Sequence, residues 1–82
     1  MTEKNLTVRY FAYFRDLAGT SEERVALVAA TTGDLFDALR ERLSFDEPRQ
    51  HCKVAVNDVL TDWQHSLADG DTVLLFPPVA GG

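Results

Sequence analysis

Apolar and polar residues alternate along "LTVRYFAYF", Leu6 to Phe14, in the two-residue rhythm of a strand. Leu6, Val8, Tyr10, Ala12 and Phe14 fall on one face, and Thr7, Arg9, Phe11 and Tyr13 on the other. The first set makes the better core face, which leaves Phe11 turned toward solvent. A turn at Gly19-Thr20-Ser21 follows, and "RVALVA", Arg24 to Ala29, returns as a second strand to make a hairpin. The rhythm then changes. In "TTGDLFDALRERL", Leu35, Phe36, Leu39 and Leu43 recur at helical spacing. Thr31 followed by Asp34 has the form of a capping box. Acids near the start (Asp34, Asp37) and bases near the end (Arg40, Arg42) suit the helix dipole.

Beyond the helix, "SFDEPRQHC" reads as a loop broken by Pro48. "KVAV", Lys53 to Val56, is a short strand turning at Asn57-Asp58. "TDWQHSLADGD" reads as irregular and closes in the turn Asp69-Gly70-Asp71. "TVLLF", Thr72 to Phe76, is the last strand, with Val73 and Leu75 on one face and Leu74 and Phe76 on the other. The resulting order is β-β-α-β-β, with one main helix to cover one face of a mixed sheet. That is an α+β chain, and the β-grasp arrangement fits it best. The first and last strands are long and apolar, which places them as central neighbours. Residues 1–76 form the domain and 77–82 a tail.

Composition narrows the function. The chain has 82 residues, close to the lower limit for a self-sufficient core, and its 45% hydrophobic content argues against disorder. Thirteen acidic against eight basic residues give a net charge of −5, which disfavours nucleic-acid phosphates and favours steering toward a basic protein surface. The one cysteine, Cys52, has no partner for an internal disulfide, which fits a reducing compartment. No apolar run approaches the roughly 18–20 residues of a membrane span, and "MTEKNLTV" has no signal-peptide core. These features predict a cytoplasmic protein.

Catalytic motifs are sparse. There is no glycine-rich phosphate loop. His51 and Cys52 are adjacent, which in a strand sends them to opposite faces, a poor nucleophile–base pair. His65 and Cys52 lie in no metal-ligand spacing. Asp69 and Asp71 flank a glycine and are explained by the turn. What remains is the ending, "FPPVAGG". Pro77-Pro78 cannot continue a sheet ladder and favour a stiff path away from the last strand. Val79, Ala80, Gly81 and Gly82 then project on the order of 13 Å, at roughly 3.3 Å per residue. Two residues without Cβ let a terminal carboxylate pass through a narrow channel into another protein's active site. A terminal glycine also places least bulk beside a carbonyl under attack.

"DGDTVLLFPPVAGG" closely resembles the C-terminal signature of the ubiquitin-like sulfur carriers that form the small subunit of molybdopterin synthase. "FAYFRDLAG", "TTGDLFDALRERL" and "VAVND" are similar to the family's first strand and turn, helix and third strand. The resemblance implies a chain that is not an enzyme by itself and binds no metal or other cofactor. A ubiquitin-activating-like adenylating enzyme, using ATP and magnesium, would convert the Gly82 carboxylate into an acyl-adenylate. A sulfur donor would then leave a thiocarboxylate. The large synthase subunit, joined to the carrier in a heterotetramer, would supply the catalytic residues, and sulfur would pass to cyclic pyranopterin monophosphate in molybdenum cofactor biosynthesis. Gly81 would permit threading, with Ala80, Val79, Pro78 and Pro77 guiding the tail. The family's apolar docking patch maps onto Phe11, Leu60 and Phe76, with Arg15 beside it. Carriers for thiazole or cysteine synthesis or tRNA thiolation share the fold and the glycines. A β-grasp binding module with an inert terminus is the reading from another class.

Overall fold

The computed structural model describes residues 2–78. Its elements run β1 (Lys4–Tyr10), α1 (Tyr13–Ala18), β2 (Glu22–Leu27), α2 (Thr32–Leu43), a short 3-10 turn at Arg49–His51, β3 (Lys53–Val56), β4 (Val59–Thr61) and β5 (Thr72–Phe76). Among the described residues the strands form one five-stranded sheet in the order β2-β1-β5-β3-β4. β1 and β5 are parallel neighbours; every other pairing is antiparallel. The mixed sheet wraps on α2 in the β-grasp manner, with the first and last strands side by side as their length and apolarity predict.

Three expectations need correction. The first strand stops at Tyr10 rather than running to Phe14. Ala12 takes a positive φ of 50°, which a strand does not accommodate, and the chain turns into α1. Phe14 is buried as expected, but it reaches the core from that helix, and Ala12 is exposed. The second strand is Glu22–Leu27 rather than Arg24–Ala29, so the first connection carries a helix and is not a tight hairpin. Finally, the β-β-α-β-β frame is present with an added strand, β4, inside the segment from Val59 onward. Asn57 and Asp58 both adopt positive φ, 51° and 69°, the backbone of a two-residue turn whose twist matches antiparallel strands. Val59–Thr61 therefore pairs back on β3.

α2 forms where the pattern places it. The Thr31 hydroxyl accepts the Asp34 N–H at 3.2 Å, and the Asp34 carboxylate accepts the Thr31 N–H at 3.1 Å, so two otherwise orphaned donors are satisfied. Leu35, Phe36 and Leu39 face the sheet and are fully buried. They meet Leu6, Val8 and Tyr10 of β1, Val25 of β2, Val54 and Val56 of β3, and Val73 and Leu75 of β5 in one cluster. Phe36 anchors an aromatic group, with ring centroids 5.3 Å from Phe45, 5.0 Å from Trp63 and 6.3 Å from Phe14.

The start of α2 is clamped by the irregular segment before β5. The Thr32 and Gly33 N–H groups donate to the carbonyls of His65 and Trp63, and the Thr32 hydroxyl donates to the Asp62 carbonyl at 2.6 Å. Gly33 is small for a reason: a Cβ there would stand 2.9 Å from the Trp63 carbonyl oxygen. At the far edge, the Arg42 guanidinium and the Tyr10 hydroxyl both donate to the Glu23 carboxylate, joining α2, β1 and β2. Burial, reinforced by that carboxylate, pushes the Tyr10 phenol well above its usual range.

Asp69 and Asp71 behave as turn residues. Asp69 accepts the Asn5 N–H at 2.7 Å. Asp71 accepts the Ala68 N–H at 2.8 Å and an Asn57 amide hydrogen at 3.0 Å, which locks the entry to β5 against the β3–β4 turn. β5 is thus anchored at its start, and its other end is where the chain leaves the sheet.

Candidate functional site

Both helices send their buried residues to one face of the sheet. The opposite face follows from the alternation. Residues paired across neighbouring strands point the same way, so one continuous row is read from the register: Glu22 with Arg9, Arg9 with Leu74, Leu74 with Ala55, and Ala55 with Leu60. Leu74 is 9% and Ala55 4% exposed, yet neither belongs to the core cluster. Their neighbours on the open face follow from the same register.

The largest of those neighbours are Phe11 and Phe76. Phe11 directly follows β1 and Phe76 ends β5, and because these strands are parallel the two rings arrive together. Their centroids are 4.6 Å apart with planes 18° from parallel. Both rings are half-buried. The Arg9 guanidinium stands over Phe11, 5.8 Å from the ring centroid, and its Nε lies 3.7 Å from the Glu22 carboxylate. Lys53, exposed on β3, is the cross-strand partner of Phe76.

Of the expected docking residues, Phe11 and Phe76 are therefore brought into contact. Leu60 lies on the same face and is 70% exposed, two strands from β5 and so about 10 Å away at a strand spacing near 4.8 Å. Arg15 is exposed on α1, beside a shallow depression shared with Asp16, Gly19, Thr20 and Ser21. It is Arg9, not Arg15, whose side chain lies over the aromatic pair. Leu74 and Ala55, which join Phe76 to Leu60, were not singled out; the signal for Leu74 was its place in step with Phe76.

Pro77 and Pro78 follow β5 directly and carry no strand structure; Pro77 is half-buried and Pro78 exposed. At Pro77 and Pro78 the chain thus leaves the sheet beside the Phe11–Phe76 stack. Val79, Ala80, Gly81 and Gly82 lie outside the described residues.

Elsewhere the chemistry is quiet. Cys52 is buried, its Sγ donating to the Pro48 carbonyl at 3.6 Å. Burial, aided by the Glu47 charge, pushes the thiol up to about 11, which suppresses the nucleophilic thiolate. His51 lies 3.9 Å from the Glu47 carboxylate and is exposed, as is His65. Among the described residues no three His, Cys, Asp or Glu side chains gather to hold a metal. No described helix is long and apolar enough to cross a membrane.

The open apolar row reaches Phe76, and Pro77 and Pro78 follow it directly. The sequence profile of the ThiS family matches residues 8–82, through the terminal glycines. The chain belongs to the ThiS family. A molybdopterin synthase sulfur carrier subunit of Escherichia coli is 36% identical, over 94% of this chain and 99% of that one. The crystal structure of small archaeal modifier protein 1 from Haloferax volcanii superposes with a TM-score of 0.77 at 29% identity, covering 93% of this chain and 99% of the other. A structure of subunits 1 and 2 of molybdopterin-converting factor from Helicobacter pylori contains a chain that matches with a TM-score of 0.62 at 33% identity, covering 95% and 99%. That relative is seen in complex with a second subunit.

Proposed function

We propose that this chain is the sulfur-carrying small subunit of a molybdopterin synthase, with sulfur borne on the Gly82 carboxyl carbon. The observation that carries the reading is the stacked Phe11–Phe76 pair, half-exposed on the open face beside the departure of the tail. A rigid apolar platform there lets a partner grip the domain while the tail enters its active site. The E. coli relative, matched along nearly its whole length, supplies the sulfur-carrier role.

The chemistry uses a single group of this chain. An adenylating enzyme joins a Gly82 carboxylate oxygen to the α-phosphorus of ATP, releasing pyrophosphate. A sulfur nucleophile then attacks the activated carbonyl and AMP departs, leaving a thiocarboxylate. Docked on the large subunit, the thiocarboxylate gives its sulfur to cyclic pyranopterin monophosphate, and water restores the carboxylate. The domain's own task is presentation: a pre-formed surface and a thin end.

The test combines the chain with an adenylating partner, ATP, magnesium and sulfide, followed by intact mass spectrometry. Exchange of one oxygen for sulfur on the C-terminal peptide is expected, and addition of the large subunit and the pterin precursor should then discharge it. Extending the chain by one residue beyond Gly82 is expected to abolish the exchange. An unchanged mass with a partner that charges the E. coli carrier overturns the proposal. The likeness to an archaeal modifier supports a second reading, in which the activated terminus is joined to a protein amine. Conjugates of higher mass, in place of a discharged carrier, favour that reading.

A further inference from the structure

We infer that the open face is matched to its partner by charge as well as by apolar contact: Arg9 and Lys53 form a basic rim around the Phe11–Phe76 stack that fits carboxylates on the partner. The inference rests on the docking reading above and adds to it the chemical character of the partner's surface.

The chain's acidity is not spread evenly. Strand positions on the open face carry three cations, Arg9, Arg24 and Lys53, and one carboxylate, Glu22, which already lies 3.7 Å from Arg9. α2 carries Asp34, Asp37 and Glu41 against Arg40 and Arg42, and Asp46 and Glu47 follow it before Arg49, which leaves the helix side with an acidic excess. A protein of net charge −5 therefore presents its sheet face with the opposite local sign. Composition alone pointed to a basic partner; the fold reverses that for this face, because alternation puts the strand cations on one side.

The two cations bracket the aromatic pair, Arg9 over Phe11 and Lys53 across from Phe76. A purely apolar partner would strip water from both without replacing it, which is unfavourable. Carboxylates at the rim of an apolar socket compensate. They also orient the encounter, since an acidic partner repels the helix side and attracts the sheet side. Approach is thereby biased toward the face from which the tail leaves.

The experiment titrates the large synthase subunit against the wild-type chain and the variants K53E, K53Q, R9E and E41K, at low and high salt. K53E is expected to weaken binding about tenfold at low salt and by only about twofold near 0.5 M, where screening shortens the reach of charge. K53Q should lose about threefold, and E41K, on the helix side, should stay within about twofold of wild type. R9E should lose more than K53E, because it also removes the cation over Phe11 and faces Glu22. Unchanged or tighter binding by K53E and R9E overturns the basic rim and leaves apolar docking standing. Failure of the wild-type chain to bind the large subunit overturns both.

Discussion

Phe36 and Phe76 are the same residue type, each in contact with other aromatic rings, and they sit on opposite sides of one sheet. Phe36 is 0% exposed, sealed between α2 and the strands by Phe14, Phe45 and Trp63. Phe76 has one companion, Phe11, and keeps part of its surface in water. The covered face holds the domain together. On the docking reading proposed above, the open face is the half of an interface that a partner would complete. The same two-residue alternation builds both, so a single strand such as β5 gives Val73 and Leu75 to the covered core and Leu74 and Phe76 to the open face, where the proposed docking would use them.

The sharpest way to break this comparison is to exchange the consequences. Phe36→Ala is expected to remove about 3–5 kcal/mol, enough to leave a domain of this size largely unfolded in a thermal melt. Phe76→Asp should leave the melting profile near wild type, because its ring lies outside the core cluster. It should instead reduce affinity for the large subunit at least tenfold, by placing a carboxylate in an apolar contact, as measured by calorimetric titration. If Phe76→Asp unfolds the chain, or binds as tightly as wild type, the division between faces fails.

Much of this was legible from residue order, and the misses have physical causes. The helix was readable because caps, dipole charges and apolar stripe agree over Thr31–Leu43. The first strand was overextended because Phe11, Ala12, Tyr13 and Phe14 continue its apolar alternation; Phe14 is buried in either conformation, and nothing in the pattern marks Ala12 as the residue with positive φ. β4 was missed because it is only three residues long, and Val59 and Leu60 are 66% and 70% exposed, so no buried periodicity announces it. Phe11 and Phe76 were both assigned away from the core by alternation, whereas Leu60 came from family resemblance. The basic rim escaped because its members, Arg9 and Lys53, lie 44 positions apart and meet only through the β1-β5-β3 pairing.

A smaller perturbation tests whether the covered face tolerates loss at its edge. Thr31→Ala removes the hydroxyl that caps α2 and leaves the Asp34 N–H without its side-chain acceptor. A loss of about 1 kcal/mol is expected, which for a domain of this length lowers the melting temperature by about 4–8 °C. Docking should be unchanged, since the capped end lies across the sheet from Phe76. A melting temperature equal to wild type would show that the clamp from Asp62, Trp63 and His65 holds α2 without the box.

The mildest probe is Cys52, a member of the covered cluster reached through the loop before β3. Its thiol ionises near 9 when free and near 11 in the fold. Below pH 9 both folded and unfolded chains hold the proton, and the residue contributes no pH dependence. Between 9 and 11 the unfolded thiol releases its proton first, so stability falls as pH rises through that window. Denaturant titrations of wild type and Cys52→Ser at pH 8 and pH 10 should show the wild type losing more of its stability than the variant over that interval. A small alkylating reagent at pH 8 should likewise modify Cys52 far more slowly in the folded chain than in denaturant, with no slowing when the large subunit is added. Protection that appears only with the partner would mean that Cys52 belongs to the open face, and the assignment of residues to the two sides of the sheet would have to be redrawn around it.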